Sequence, residues 1–282
     1  MRLILCTLLF AGSALAQSDP ISRSWNQPVE PFRIAGNVYY VGATDITSYL
    51  ITTPKGHILI DGGFVETVPI IVANIRKLGF RVEDVRILLS SHAHYDHAGG
   101  LAELKRITGA TFYASEGDLP QHARGGLDDP QFGDRFPYPP VEADRIVRDG
   151  QNIVLGGATL TAHLTPGHTR GCTTWTTRSG GLDFVFVGSP SVPSTYKLIG
   201  NTRYPDAVAD YRKQFAILKS LKPDIFLASH GNFFDLQEKI AALATKPKQN
   251  PFIDREGYYK FVTEAEVAFE TRVRNEGSAV LR

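Results

Sequence analysis

Eleven residues, SSHAHYDHAGG at positions 90 to 100, constrain this chain more than any other stretch. Three imidazoles (His92, His94, His97) and one carboxylate (Asp96) fall within six positions, directly after the near-continuous apolar run VRILL at 85 to 89. An apolar run of that length without alternation reads as a strand covered on both faces. The polar cluster therefore sits at the end of a buried strand, where protonated imidazoles would repel one another. A bound cation removes the conflict, because imidazole must be neutral to ligate a metal.

Spacing divides the cluster. Residues two apart in an extended segment point the same way, so His92 and His94 can reach one ion, while Asp96 and His97, beyond the turn, can face a second. Histidine occurs only eight times, and two further copies follow strand-like runs, in TPGH at 165 to 168 and ASH at 228 to 230. Loops at strand ends gather at one edge of layered α/β folds, where residues distant in sequence can converge. Two ions with about three protein ligands each need roughly six donors. His92, His94 and His168 supply the first set, and Asp96, His97 and His230 the second. Imidazole and carboxylate suit Zn²⁺, so two zinc ions per chain are expected. A closed structural zinc site would use several cysteines, and Cys172 is alone once the N-terminus is set aside. His57, His122 and His163 stand apart and read as core or solvated residues.

The remaining text has the rhythm of a layered fold. Residues 32 to 64 give short apolar runs broken by Gly-Asn, Thr-Asp and Pro-Lys-Gly, as antiparallel hairpins do. Apolar residues at helical spacing, with Gly79 as a stop, mark a helix over 66 to 78. Helices are expected at 99 to 108 and 116 to 125 around a strand at 110 to 114. The segment GLDDPQFGDRFPYPP at 126 to 140, with four prolines, reads as a long irregular loop. The second half repeats the order, with strands near 145 to 148, 152 to 155, 158 to 164, 172 to 177 and 182 to 187. A helix at 206 to 221 capped by Asp206 follows, then a strand at 224 to 228 and a helix at 235 to 243. TEAE at 263 to 266 reads as a capping box opening a last helix to about 274. Two sheets packed face to face with helices outside account for this order.

The N-terminus MRLILCTLLFAGSALAQ has a positive residue, an apolar core and an Ala-x-Ala ending, the pattern of a secretory signal cleaved after Ala16. Its apolar stretch is well short of the ~20 residues that span a bilayer. Cleavage leaves residues 17 to 282 as one expected domain, with 29 Lys and Arg against 29 Asp and Glu. That balance gives no basis for a nucleic-acid or anionic-membrane partner. With Cys6 removed the exported chain has no internal disulfide, so stability is expected to rest on core, metal or both.

HxHxDH with its later histidines resembles the signature of the metallo-β-lactamase superfamily. LIDGG at 59 to 63, LTPGHTRGCTTW at 164 to 175 and GNTRYPDAVADYRKQF at 200 to 215 extend the likeness to the third subclass of class B β-lactamases. The resemblance implies a four-layer αβ/βα sandwich, of α/β class, over residues 24 to 274. It implies a structural role for Asp61 beneath the site. It also implies a groove bordered by Trp25, Pro28 and the 126 to 140 loop, with Phe132, Phe136 and Tyr138 as apolar walls.

Substrate class turns on another residue. Thioesterases and lactonases of the superfamily carry a metal-bridging aspartate in a Gly-Asp pair, whereas this chain has Gly188-Ser189 in FVFVGSP. The lactamase subclass resembled has a serine there and another two residues on, which implies that Ser189 and Ser191 bind the substrate carboxylate. The expected activity is zinc-dependent hydrolysis of penicillins, cephalosporins and carbapenems, giving β-lactam resistance. In it a zinc-bound hydroxide oriented by Asp96 attacks the lactam carbonyl. A periplasmic, monomeric enzyme with a small-molecule substrate is expected. The alternatives are an exported lactonase or thioesterase, and a metal-binding protein without turnover. Cys172 reads as a buried strand residue.

Overall fold

The computed structural model describes residues 20 to 280, so the expected signal segment 1 to 16 lies outside the described residues. Among those described, twelve strands form two sheets. The first contains β1 (Phe32–Ala35), β2 (Val38–Tyr40), β3 (Tyr49–Thr53), β4 (Gly56–Ile60), β5 (Val85–Leu89), β6 (Thr111–Ser115) and β7 (Arg145–Val147), in that spatial order. The hairpins β1 to β4 are antiparallel, and β4 to β7 are parallel. The second contains β8 (Asn152–Leu155), β9 (Ala158–Leu164), β10 (Thr173–Ser179), β11 (Leu182–Val187) and β12 (Ile225–Ala228), ordered β12-β11-β10-β9-β8. Sequence rhythm grouped the strand near 145 to 148 with the second half; its pairing with β6 puts it on the first sheet instead.

Helices α1 (Pro20–Trp25), α2 (Val68–Lys77), α3 (Tyr95–Ala98), α4 (Leu101–Thr108), α5 (Leu119–Ala123), α6 (Ala207–Ser220), α7 (Leu236–Ala244) and α8 (Arg255–Val280) complete the chain. None of the described helices is long and apolar enough to cross a membrane.

Period-two alternation builds the layers. Tyr49, Ile51, Ile58, Ile60, Ile87 and Leu89 face the second sheet, in one core with Leu160, Trp175 and Phe186. Their neighbours Leu50, Leu59 and Leu88 turn to the opposite face and pack on Ile71 and Ile75 of α2 and Leu101 and Leu104 of α4. The outer face of the second sheet is covered by α6 and α8 through Tyr211, Phe215, Tyr258 and Phe269. Each large side chain buried this way contributes roughly 1.5 to 3 kcal/mol.

Three local expectations need correction. The last helix begins at Arg255, not at TEAE: the Asp254 carboxylate accepts from the Gly257 N–H (2.9 Å) and starts the helix, while Thr263 bonds back to the Tyr259 carbonyl inside it. Asp206 does not cap α6 with its side chain; only its carbonyl receives the Asp210 N–H (2.9 Å). The helix expected at 99 to 108 begins only at Leu101, and a separate turn, α3, precedes it across Gly99 and Gly100. A Cβ on Gly100 would lie 2.2 Å from the Gly62 carbonyl, so the turn closes only over glycine.

Candidate metal centre

The site gathers at the C-terminal ends of strands: His92 and His94 beyond β5, followed by Asp96 and His97 in α3, His168 beyond β9, the serines Ser189 and Ser191 beyond β11, and His230 beyond β12. The sheets are stitched together at this edge. Thr173 N donates to the Ser91 carbonyl (2.7 Å), Trp175 Nε1 to the Ser90 carbonyl (3.2 Å) and the Tyr49 hydroxyl to the Ala228 carbonyl (2.6 Å). His94 is extended (φ −89°, ψ 155°) and Tyr95 opens the single turn of α3, which carries Asp96 and His97.

Ligand atoms of His92, His94 and His168 lie within 4.8 Å of one another, as do those of His92, Asp96 and His97. His230 joins the second group: its Nε2 is 3.2 Å from His97 Nε2 and 3.5 Å from Asp96 Oδ2. His94 Nδ1 and His168 Nε2 are 3.0 Å apart. Imidazole nitrogens this close can share either a proton or a cation, and His92 Nε2 is buried with no hydrogen-bond partner among the described residues. The donor set thus fits metal ions of the zinc type.

The opposite ring nitrogens are anchored on the protein, which fixes tautomer and ring orientation. His92 Nδ1 meets Ser91 Oγ (3.0 Å), His168 Nδ1 the Ser191 carbonyl (2.9 Å) and His230 Nδ1 the Asp45 carboxylate (2.9 Å). His94 Nε2 faces the Tyr196 hydroxyl (3.2 Å) and Asp129 (3.5 Å). His97 Nδ1 lies 3.7 Å from Asp61, an ion-pair distance and too long for a hydrogen bond.

Charge follows this geometry. Burial, reinforced by neighbouring imidazoles, holds His92 and His168 well below the ordinary histidine value. Burial alone would lower His230, yet hydrogen bonds to Asp45 and Asp96 outweigh it and raise the group to about 9. Burial would raise Asp96, but His97 and His230 hold it well below the usual carboxylate range.

Asp61 has the supporting role that the resemblance implied. It sits at positive φ (63°), a conformation uncommon outside glycine, and its carboxylate accepts the Ser91 N–H (2.6 Å) beneath the ligand turn. Gly167, at φ 140°, lets the chain pass Tyr211 before His168; a Cβ there would lie 2.8 Å from the ring.

Four groups escaped sequence reasoning: Asp45, Asp118, Asp129 and Tyr196. Asp118 is buried and accepts from Ala93 N (2.9 Å), Thr169 Oγ1 (2.8 Å) and Gly171 N (2.7 Å), joining the His92–His94 loop to the His168 loop. Their one sequence signal is an acid or tyrosine set among apolar and small residues, which many turns share.

Ser189 is buried, with its Oγ 3.1 Å from Ser191 Oγ. Phe132 packs on His94 (5.0 Å between centroids), Phe136 stacks on Tyr95 (4.3 Å), and Trp25 meets His230 edge-on (5.4 Å). Tyr138 departs from expectation. It is turned inward, and its hydroxyl donates to the Ala93 carbonyl (2.8 Å), so it braces the ligand loop and is not a groove wall. Cys172 is buried one residue before β10. His57, His122 and His163 stay outside the cluster; His163 Nε2 pairs with Thr176 Oγ1 (2.9 Å).

Residues 41–230 match the family profile of the metallo-β-lactamase superfamily. A solved metallo-β-lactamase of Cronobacter sakazakii is 44% identical, with a TM-score of 0.88 over 91% of this chain and 98% of that one. BJP-1, a subclass B3 metallo-β-lactamase of Bradyrhizobium japonicum, is 36% identical, with a TM-score of 0.85 over 92% and 98%. Among curated proteins, a hydroxyacylglutathione hydrolase of Rhodospirillum rubrum is 31% identical over 36% of this chain and 31% of its own length. An N-acyl homoserine lactonase of Azorhizobium caulinodans is 30% identical over 44% and 56%. The chain thus spans 31% and 56% of these curated relatives' lengths and nearly the whole of the solved structures.

Proposed function

The chain belongs to the metallo-β-lactamase superfamily, and from that premise we propose that it is a zinc-dependent β-lactamase that opens the amide bond of penicillins, cephalosporins and carbapenems. The observation that carries the reading is likeness over the full domain. Identity of 36 to 44% extends over 98% of solved metallo-β-lactamases, while likeness to the thioesterase stops at about a third of its length. Ser189, in place of a bridging aspartate, supports the same substrate class.

His92, His94 and His168 would hold one zinc ion, and Asp96, His97 and His230 the other. When bound, zinc supplies Lewis acidity toward the carbonyl and makes water a strong nucleophile near neutral pH. The Asp96 carboxylate orients the attacking water toward the lactam carbon. Ser189 and Ser191 donate hydrogen bonds to the substrate carboxylate and fix the ring relative to that water. Phe132 and Phe136 on one side and Trp25 on the other flank the bound ring and reduce its exposure to solvent.

The N-terminal pattern supports export to the periplasm, with residues 17 to 282 as one monomeric domain and antibiotic resistance as the outcome. A lactonase or thioesterase is the second reading, favoured by the two curated relatives. Mature protein, with and without chelator, is offered a penicillin, a carbapenem, a lactone and a thioester. Chelator-sensitive opening of the β-lactams is expected, and zinc-loaded enzyme that opens the lactone or thioester but no β-lactam would refute the proposal.

A further inference from the structure

An apolar recess of about 440 Å³ opens beside the two serines, bounded by Pro190, Ser191 and Val192 on one side and Phe233, Phe261 and Phe269 on the other. Two of these walls also touch the candidate ligands. The Ser191 carbonyl accepts from His168 Nδ1 (2.9 Å), and the Phe233 ring lies 5.1 Å from the His230 ring. The recess therefore shares two of its walls, Ser191 and Phe233, with the surroundings of the metal centre.

Its floor is α8. Ala265 and Ala268 lie between Phe261 and Phe269 on one face of that helix, and their methyl groups leave depth that larger side chains would fill. Arg272, the only charged residue lining it, is already engaged. Its Nε donates to Glu276 (2.6 Å), and its Nη2 donates to the carbonyls of Ser194 (2.9 Å) and Tyr196 (2.8 Å). These bonds tie Arg272 to the protein, and the aromatic, proline, valine and alanine walls match an uncharged apolar group.

We infer that this recess receives an apolar substituent borne by the substrate next to the carboxylate that Ser189 and Ser191 hold. The chain therefore favours β-lactams carrying an aryl or branched alkyl group at that position. The inference rests on the β-lactamase reading above, and its test has two arms.

In the first, Ala265→Leu and Ala268→Leu, which narrow the recess without touching a ligand or serine, are compared with wild type. The substrates are two cephalosporins differing only beside the carboxylate, one with an arylthiomethyl and one with a methyl group. KM for the aryl substrate should rise about tenfold with kcat within about twofold, and the methyl substrate should be unaffected. In the second, zinc-loaded wild-type protein with labelled alanine methyls is titrated with 3-phenylpropanoate and with acetate. The Ala265 and Ala268 resonances should move with the first and not the second.

Unmoved resonances, or a KM change shared by both cephalosporins or absent from both, would overturn the recess while β-lactam hydrolysis stands. No turnover of either cephalosporin by wild type would refute the β-lactamase reading instead, and the methyl titration would then decide the recess alone. It also decides the recess if neither variant folds.

Discussion

Replacing His122 with leucine should remove one component of the fold's acid sensitivity. The imidazole is fully buried on α5, edge-on to Phe112 at 5.1 Å, and neither ring nitrogen has a hydrogen-bond partner among the described residues. Burial, with no charged neighbour contributing, lowers its pKa to about 3. In the unfolded chain it titrates near 6.5. Between those values the unfolded state binds the extra proton, so the stability is fully present above about pH 6.5 and is lost as pH falls toward 3. At pH 5 the loss is roughly 1.5 pH units at ~1.4 kcal/mol each, about 2 kcal/mol. A leucine does not titrate and contributes none of this. Urea unfolding of zinc-loaded wild type and His122→Leu at pH 7.5, 6.5, 5.5 and 5.0 reads the difference directly. Losses common to both proteins, including acid release of metal, cancel in the comparison. The variant should gain about 2 kcal/mol on wild type between pH 7.5 and 5.0. Parallel stability curves would show that the ring is hydrogen-bonded or hydrated, and the reasoning from its isolation would be wrong.

Other perturbations address the metal centre. His92→Ala should weaken the first zinc, and Asp96→Ala should empty the second while circular dichroism stays native; two tightly held zinc ions in both variants by elemental analysis would contradict the ligand partition. Asp45→Asn leaves His230 in place but removes its charged anchor, so chelator competition should report second-zinc affinity lowered about 10- to 100-fold. An unchanged affinity would detach Asp45 from that role. Gly167→Ala should cost ~1 to 3 kcal/mol from its backbone conformation alone, beyond the clash with Tyr211, seen as a lower melting temperature. An unaltered melting temperature would mean that the loop relaxes freely.

What could be read from sequence was what local pattern encodes. The alternation in β3, β4 and β5 sets which residues face which layer, and HxHxDH concentrates its chemistry in six positions. His168 and His230 were legible because histidine is scarce and each follows a strand-like run. Asp45 and Asp118 were not, because a turn aspartate becomes an anchor only when tertiary folding places His230 or Ala93 against it. The start of α8 was missed for a related reason. TEAE satisfies a local rule, but Asp254, upstream of Thr263, had already begun the helix by accepting the Gly257 N–H.

The two candidate ion sites draw their donors from both layers: His92, His94, Asp96 and His97 from beyond the seven-stranded sheet, His168 and His230 from beyond the five-stranded one. An ion held by such a set is a rivet through the seam of the sandwich, because sliding one sheet over the other would break coordinate bonds. Metal content then governs mechanical resistance to shear as well as chemistry. Stripping the ions should raise hydrogen exchange first at the stitched edge, at Thr173 N and Thr47 N, before it reaches the strands beneath.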